Sequence, residues 1–136
     1  MQVHEAFTEY GLTTEIGYYD TNKTVIVISF TGVLDMLSAE VVFVKRRATL
    51  KEWFENKPDT QRIVFDLFHL DHINSFAIGH LTQFYLALYK RKIPVTLVID
   101  PESTVYQILD YCGLFELHGL HVQRKDLTEG LEPLGG

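Results

Sequence analysis

His69, His72 and His80, with Asp71 beside the first two, come closest in this sequence to a metal-binding pattern. A two-residue gap can put two imidazoles on one ion, but a working site takes three or four ligands of suitable geometry. No cysteine lies near, and His118 and His121 are distant in sequence, so these histidines read as solvated or hydrogen-bonded and no metal ligand is assigned. The single Cys112 would need a base and an electropositive setting to act as a nucleophile. It falls at the end of a predicted helix, where the dipole raises a thiol pKa, and reads as a small buried apolar residue. Asp66, Asp71 and Asp100 lie near the ends of predicted strands and carry groups suited to acid–base work, yet nothing in the sequence supplies a nucleophile or a pocket beside them. Neither a G-x-G-x-x-G turn nor a Walker loop is present. No catalytic residue and no cofactor are assigned, and the chain reads as a non-enzyme.

The elements that must position these groups alternate between strand and helix. Residues 1–12 read as irregular. Thr13–Tyr19 reads as a strand, Asp20-Thr21-Asn22-Lys23 as a turn, and Thr24–Phe30 as a β-branched strand, together a hairpin. Gly32-Val33-Leu34-Asp35 breaks the run, and Ser38 is the expected N-cap of a helix in which Leu37, Val41, Val44 and Ala48 form one buried stripe. Phe43, Leu50 and Phe54 form a second row. Arg62–Phe68 reads as a strand, residues 69–74 as a loop, and about Ser75–Arg91 as a helix with Ile78, Leu81, Tyr85 and Leu88 inward. Pro94–Ile99 is a nearly continuous apolar strand buried on both faces. Asp100-Pro101 opens a helix that Gly113 closes. Leu120–Gln123 is a last short strand, followed by a tail or short helix over 124–136. Strands alternating with helices imply an α/β domain over 13–123, with a mixed, mostly parallel sheet, an antiparallel N-terminal hairpin and helices packed on it. In such sheets functional groups gather in the loops after the strands' carboxyl ends, here 32–37, 69–74 and 100–102.

The 136 residues are 46% hydrophobic and 22% charged, enough for one core and too few for two. The net charge of −6 argues against a nucleic-acid binder, which must replace counterions on phosphates. The basic clusters Lys45-Arg46-Arg47 and Lys90-Arg91-Lys92 instead read as helix-end or solvated charges. A lone cysteine, no apolar run of bilayer length and an N-terminus without a basic start or long apolar stretch lead to an expected cytoplasmic location, without membrane insertion. The aromatic row Phe43, Trp53 and Phe54 offers a surface for self-association as a homodimer.

Gly32-Val33-Leu34-Asp35, the run Ile63–Leu67 followed by Ile73-Asn74-Ser75-Phe76-Ala77-Ile78-Gly79, and Pro101–Val105 with Ile108-Leu109 and Gly113-Leu114 together resemble the STAS domain, named for sulfate transporters and anti-sigma factor antagonists. The resemblance covers roughly Thr13 to Val122. It implies an anti-sigma factor antagonist that docks to a serine kinase/anti-sigma partner, is phosphorylated by it at Ser75, and is reset by a phosphatase. Asn74 stands where that family's motif usually has Asp, Phe76 where it has a second Ser, and Ala77 where it has Gly. Asp35, Met36, Asn74, Phe76 and Gly79 are the expected partner surface.

Ser75 also has a plain reading as an N-cap, Phe76 as a residue packed on the sheet and Asp35 as a local helix-start residue. Two further functions fit the same sequence. One is a constitutive scaffold subunit of a membrane lipid transporter, which needs no phosphoacceptor. The other is a small-ligand sensor with an apolar pocket.

Overall fold

Ten residues from Val25 to Leu34 form β3, the strand around which the chain is arranged. Six of the ten are β-branched, and side chains alternate across the strand, so two faces can be buried at once. In the computed structural model, which describes residues 1–134, β3 follows β1 (Gln2–Glu9) and β2 (Leu12–Tyr18) in an antiparallel meander. It then pairs in parallel with β4 (Arg62–Asp66) through Val25–Ser29 and with β5 (Leu70–Ile73) through Gly32–Leu34. β6 (Val95–Val98) and β7 (Leu120–Gln123) continue in parallel, giving the order β1-β2-β3-β4-β6-β7 with β5 beside the far end of β3.

One face of the sheet carries the helices α1 (Met36–Glu40), α2 (Arg47–Glu55), α3 (Ser75–Lys90) and α4 (Thr104–Tyr111). Ile26, Ile28, Phe30, Ile63, Phe65, Val95 and Leu97 point into that layer. Aromatic rings tie its elements together: Phe30 lies 6.0 Å from Phe43, Phe43 5.8 Å from Phe84, Phe84 5.0 Å from Phe54 and Phe54 6.1 Å from Phe65. Centroids at these separations favour the tilted and edge-on arrangements seen here. Phe43, Trp53 and Phe54 are all buried, so the row expected to support self-association faces inward.

The opposite face is covered by the C-terminal segment. Val27, Val64 and Val98 pack against Leu127 and Leu131. Gln123 is fully buried and commits its whole side-chain amide to this strap, donating to the carbonyls of Lys125 and Gly130 (both 2.9 Å) and accepting from the Glu132 amide (2.8 Å). Arg62 donates to Thr96 Oγ1 through Nε (2.9 Å) and Nη2 (2.6 Å) and to the Glu132 carbonyl through Nη1 (2.7 Å). Burial lowers its pKa, but a guanidinium holds its proton, so the charge stays and these three bonds compensate it.

Several expected elements are displaced, each for a local reason. Gln2–Glu9 is a strand rather than irregular; as an exposed sheet edge it lacks the apolar alternation that marks a half-buried one. Residues 70–73 pair with β3 instead of looping. The first helical segment begins at Met36, capped by Asp35, and not at Ser38. It then widens into a π-helical turn over Val41–Lys45, where the Arg46 amide donates to the Val41 carbonyl five residues back (2.9 Å). The extra residue puts later positions out of phase with a continuous 3.6-residue period. Phe43 is buried and Val44 48% exposed, Leu37 is 56% exposed in the first turn of a helix that already starts at Met36, and the expected stripe of Leu37, Val41, Val44 and Ala48 keeps only Val41 inside. The last helix is capped by Ser103, which accepts from the Tyr106 amide at 3.0 Å, with Asp100-Pro101 in the preceding turn. Cys112 is exposed, not buried.

Gly32 is where β3 changes partner. Its φ of +108° is unfavourable for other residues, and an added Cβ would sit 2.1 Å from the Gly11 carbonyl oxygen. Gly32→Ala should lower unfolding free energy by roughly 2–3 kcal/mol or more in urea denaturation, because neither the backbone angle nor the neighbouring backbone can relax cheaply. An unchanged midpoint would refute that account.

Candidate functional site

The parallel pairing of β3 with β5 sets Leu34 opposite Ile73, and the Asn74 amide donates to the Leu34 carbonyl at 3.0 Å. Asp35 and Asn74 thus leave the sheet side by side, and each starts a helix. Asp35 Oδ1 accepts from the amides of Leu37 and Ser38, both at 3.1 Å. Ser38 answers by accepting from the Asp35 amide (3.0 Å) and donating to the Val33 carbonyl (2.7 Å), a reciprocal capping box. Those bonds hold the Asp35 carboxyl below the ordinary carboxylate range, the Ser38 amide contributing most and His72 adding a small favourable charge.

The second helix start is built differently. Asn74 takes the cap, its Oδ1 accepting from the Ala77 amide at 2.9 Å, while its carbonyl receives the Ile78 amide at 3.1 Å. Ser75, expected as the cap in the plain reading, is instead the first helical residue. It is exposed, and its Oγ engages no protein partner among the described residues. The amides of Ser75 and Phe76 have no intrahelical acceptor at this position, so the hydroxyl stands beside free donors at the positive end of a 16-residue helix.

Around it lie the other expected contact residues. Met36 is 54% exposed, and Leu37, expected in the core, is open beside it. The spacing Asp35-x-x-Ser38 was the signal for this: it starts the helix at Met36 and puts both residues in the first, solvent-facing turn. Phe76 is half-buried, packing one side against the core and leaving the rest open to solvent. Its ring meets His80 edge-on at 4.6 Å, and His80 stacks on Phe43 at 5.3 Å. Burial and the nearby Arg47 depress the His80 pKa, favouring the neutral ring that this sandwich accommodates. Gly79 lies one turn beyond Ser75 on the same side of α3, and a Cβ there would meet nothing within 4 Å. No packing reason therefore keeps a glycine in this helix interior, where it costs about 0.5–1 kcal/mol relative to Ala.

The residues weighed for other chemistry do not converge. His69 bonds Asp126 at 2.9 Å, His72 is exposed near Asp35, and His80 is held between aromatic rings. Among the described residues no group of three or more His, Cys, Asp or Glu is arranged to hold a metal ion. Asp66 is buried on the strap side, accepting from the Phe68 amide at 3.1 Å and from Ser29 at 3.4 Å, and burial raises its pKa. Asp71 is exposed and Asp100 accepts from the Glu102 amide at 3.0 Å. No helix among the described residues is long and apolar enough to cross a membrane.

The family model for the STAS domain matches residues 18–126. The chain belongs to the STAS-domain family. Solved structures share the STAS fold. An anti-sigma factor antagonist from Mycobacterium paratuberculosis superposes with a TM-score of 0.63 at 22% identity, over 81% of this chain and 85% of that one. The anti-sigma factor antagonist SpoIIAA in its unphosphorylated form gives 0.60 at 16% identity, over 85% and 92%. The Bacillus cell fate determinant SpoIIAA in the phosphorylated form gives 0.59 at 16%, over 85% and 94%. No curated protein gives a significant match. The STAS frame is thus a mixed, mostly parallel sheet with an antiparallel N-terminal hairpin, and in this member its β3–β5 end carries the two capped helix starts.

Removing the charged cap from this STAS domain should show as a pH effect. The folded-state pKa of Asp35 lies below its unfolded value near 3.8. Its contribution is therefore complete above that pH and is lost as pH falls through the depressed folded value. Asp35→Ala should cost about 1 kcal/mol at neutral pH. Below pH ~4 the difference from the parent protein should shrink, since protonation then weakens the parent's own cap. Urea titrations across that range check it; a gap that widens on acidification would contradict the assignment.

Proposed function

We propose that this STAS domain is a non-enzymatic regulatory module of the cytoplasm. It docks to a serine kinase/anti-sigma partner through Asp35, Met36, Asn74, Phe76 and Gly79, and it is switched by phosphorylation of Ser75 and reset by a phosphatase. The observation that carries the reading is that Asn74 performs the capping and leaves the Ser75 hydroxyl free in solvent at a helix N-terminus. The fold shared with anti-sigma factor antagonists supports the class of function, and the scattered placement of Asp66, Asp71, Asp100 and Cys112 supports a binding role over a catalytic one.

The switch is electrostatic. A phosphate adds about −1.5 to −2 charges and three acceptor oxygens. The free amides of Ser75 and Phe76 and the helix dipole receive that charge, so the domain keeps its fold. A partner seated on Met36, Leu37 and Phe76 does not gain in the same way. It meets a dianion beside the Asp35 carboxylate and across an apolar surface, and desolvating such a charge costs several kcal/mol. That is enough to weaken a modest interface on the order of a hundredfold. Gly79 keeps the helix low one turn from Ser75, where a side chain would hold an approaching backbone away.

Incubation with the cognate kinase and ATP should add one phosphate, read by intact mass, and Ser75→Ala should abolish it. Ser75→Asp should weaken partner binding while leaving the circular dichroism spectrum and melting temperature close to the parent's. Persistence of the mass shift in Ser75→Ala removes the switch. Undiminished binding by Ser75→Asp, with a transporter ATPase as the captured partner, points to the constitutive scaffold instead. Gly79→Ala separates docking from folding. It should stabilise the domain by about 0.5–1 kcal/mol in denaturant yet weaken the partner complex; tighter or unchanged binding would take Gly79 out of the interface.

A further inference from the structure

Beneath the surface around Ser75, one ring connects the first turn of α3 to the core. Phe76 meets His80 edge-on, and His80 lies against Phe43 with 4° between the two planes. Phe43 comes from the π turn and is buried, 6.0 Å from Phe30 of β3 and 5.8 Å from Phe84 of α3. Phe76 and His80 are one helical turn apart on α3, the spacing at which side chains meet. His80 is the one aromatic ring that Phe76 touches among the described residues. The position of Phe76 is therefore set in part by an imidazole.

Packing does not explain that imidazole. His80 Nδ1 is sealed from solvent and has no hydrogen-bond partner among the described residues. A phenyl ring would fill the same sandwich without leaving a polar atom unsatisfied. What histidine adds is a proton that can come and go. With the neutral ring protonated on Nε2, Nδ1 carries only a lone pair. In the imidazolium both nitrogens are donors, and Nδ1–H then requires an acceptor that two hydrocarbon rings do not supply. The face of Phe43 attracts a cation, yet that attraction does not replace the missing acceptor. The surrounding elements give no help either. Arg47 of α2 is the one charged group that bears on His80, and it opposes a second positive charge, while the π turn and α3 present only Phe43 and Phe76. Burial and Arg47 accordingly hold its pKa below the ordinary 6.5.

We infer that His80 is a positioning residue for the docking surface, operated by a proton: neutral, it holds Phe76 in place over Phe43, and protonated, it leaves the sandwich and releases Phe76. The proton is exchanged with solvent, and no other reactant takes part. The effect on a partner rests on the docking surface proposed above, but the movement of the two rings does not. This control is separate from phosphorylation, since it withdraws an apolar contact from beneath and adds no charge at Ser75. It also has a sign in stability. The folded-state pKa lies below the unfolded one, so the contribution of His80 is complete above pH 6.5 and is lost as pH falls through that value toward the depressed one.

The test is an NMR titration of the full chain from about pH 7.5 to about pH 5, following the ring signals of His80 and Phe76. The Phe76 signals should move with the His80 midpoint, and the cross-peaks between the two rings should fade together. Arg47→Gln should raise that midpoint and carry the Phe76 transition with it, a response that a purely structural histidine would not produce. His80→Phe should hold Phe76 fixed across the whole range. His80→Gln provides a second non-titrating ring-free side chain should the phenyl group disturb the packing, and it should likewise remove the transition. With the kinase partner, acidification should weaken binding by the parent about tenfold and leave His80→Phe unaffected. Phe76 signals that stay still while His80 titrates overturn the inference, as does a Phe76 transition that survives in both variants. If the rings move as expected and partner affinity does not, the ring movement stands and Phe76 drops out of the docking surface.

Discussion

β3 must serve three neighbours with a single backbone, and most of the architecture results from that demand. It pairs with β2 along most of its length, with β4 over its first half and with β5 over its last residues. One edge cannot serve two parallel partners at the same height, so the chain turns at Gly32 and hands the edge from β4 to β5. Because β5 begins four residues after β4 ends, it reaches β3 only at this far end. The outcome is that two helix starts, at Asp35 and Asn74, are forced into adjacency by hydrogen bonds between strands rather than by contacts between helices.

Those two starts use similar residues to opposite ends. At the first, a carboxylate and a serine satisfy each other, and Ser38 is fully buried. At the second, an amide side chain caps alone and the serine one position later has nothing to do structurally. A hydroxyl engaged as Ser38 is closed to any other protein; a hydroxyl placed as Ser75 is open to all. Asn74 makes this possible without adding charge of its own, so any charge arising at the helix terminus would come from modification of the serine.

Much of this was legible in the sequence. The runs around Val25–Phe30, Ile63–Leu67 and Val95–Ile99 are rich in β-branched and apolar residues, and they became the central strands. Leu81, Tyr85 and Leu88 face inward as their helical spacing predicts. The failures share a cause, which is that pattern reading needs one face to be dry. Gln2–Glu9 is wet on nearly every residue, and Leu70–Ile73 is only four residues long with Asp71 and His72 exposed, so neither shows alternation. The stripe through Val44 failed because a 3.6-residue period was applied across a turn that holds an extra residue. At the β3–β5 end, the helix start at Ser75 was legible in the sequence, whereas the exposure of Leu37 depended on which of two possible caps, Asp35 or Ser38, the chain would choose.

The widened turn at Val41–Lys45 has a consequence for how this chain can vary in length. A π turn is an α-helix that has absorbed one surplus residue while the segments before and after keep their orientation to the sheet. Dropping one solvent-facing residue there, such as Val44, would let the turn relax to ordinary α-helical hydrogen bonding, with Ala39 on one side and Leu50, Trp53 and Phe54 on the other still directed at the core. The same deletion in α3, whose hydrogen bonding has no slack, would swing half of its buried residues into water. Helical length polymorphism in this fold therefore has a natural locus, and it lies between the surface around Ser75 and the aromatic interior.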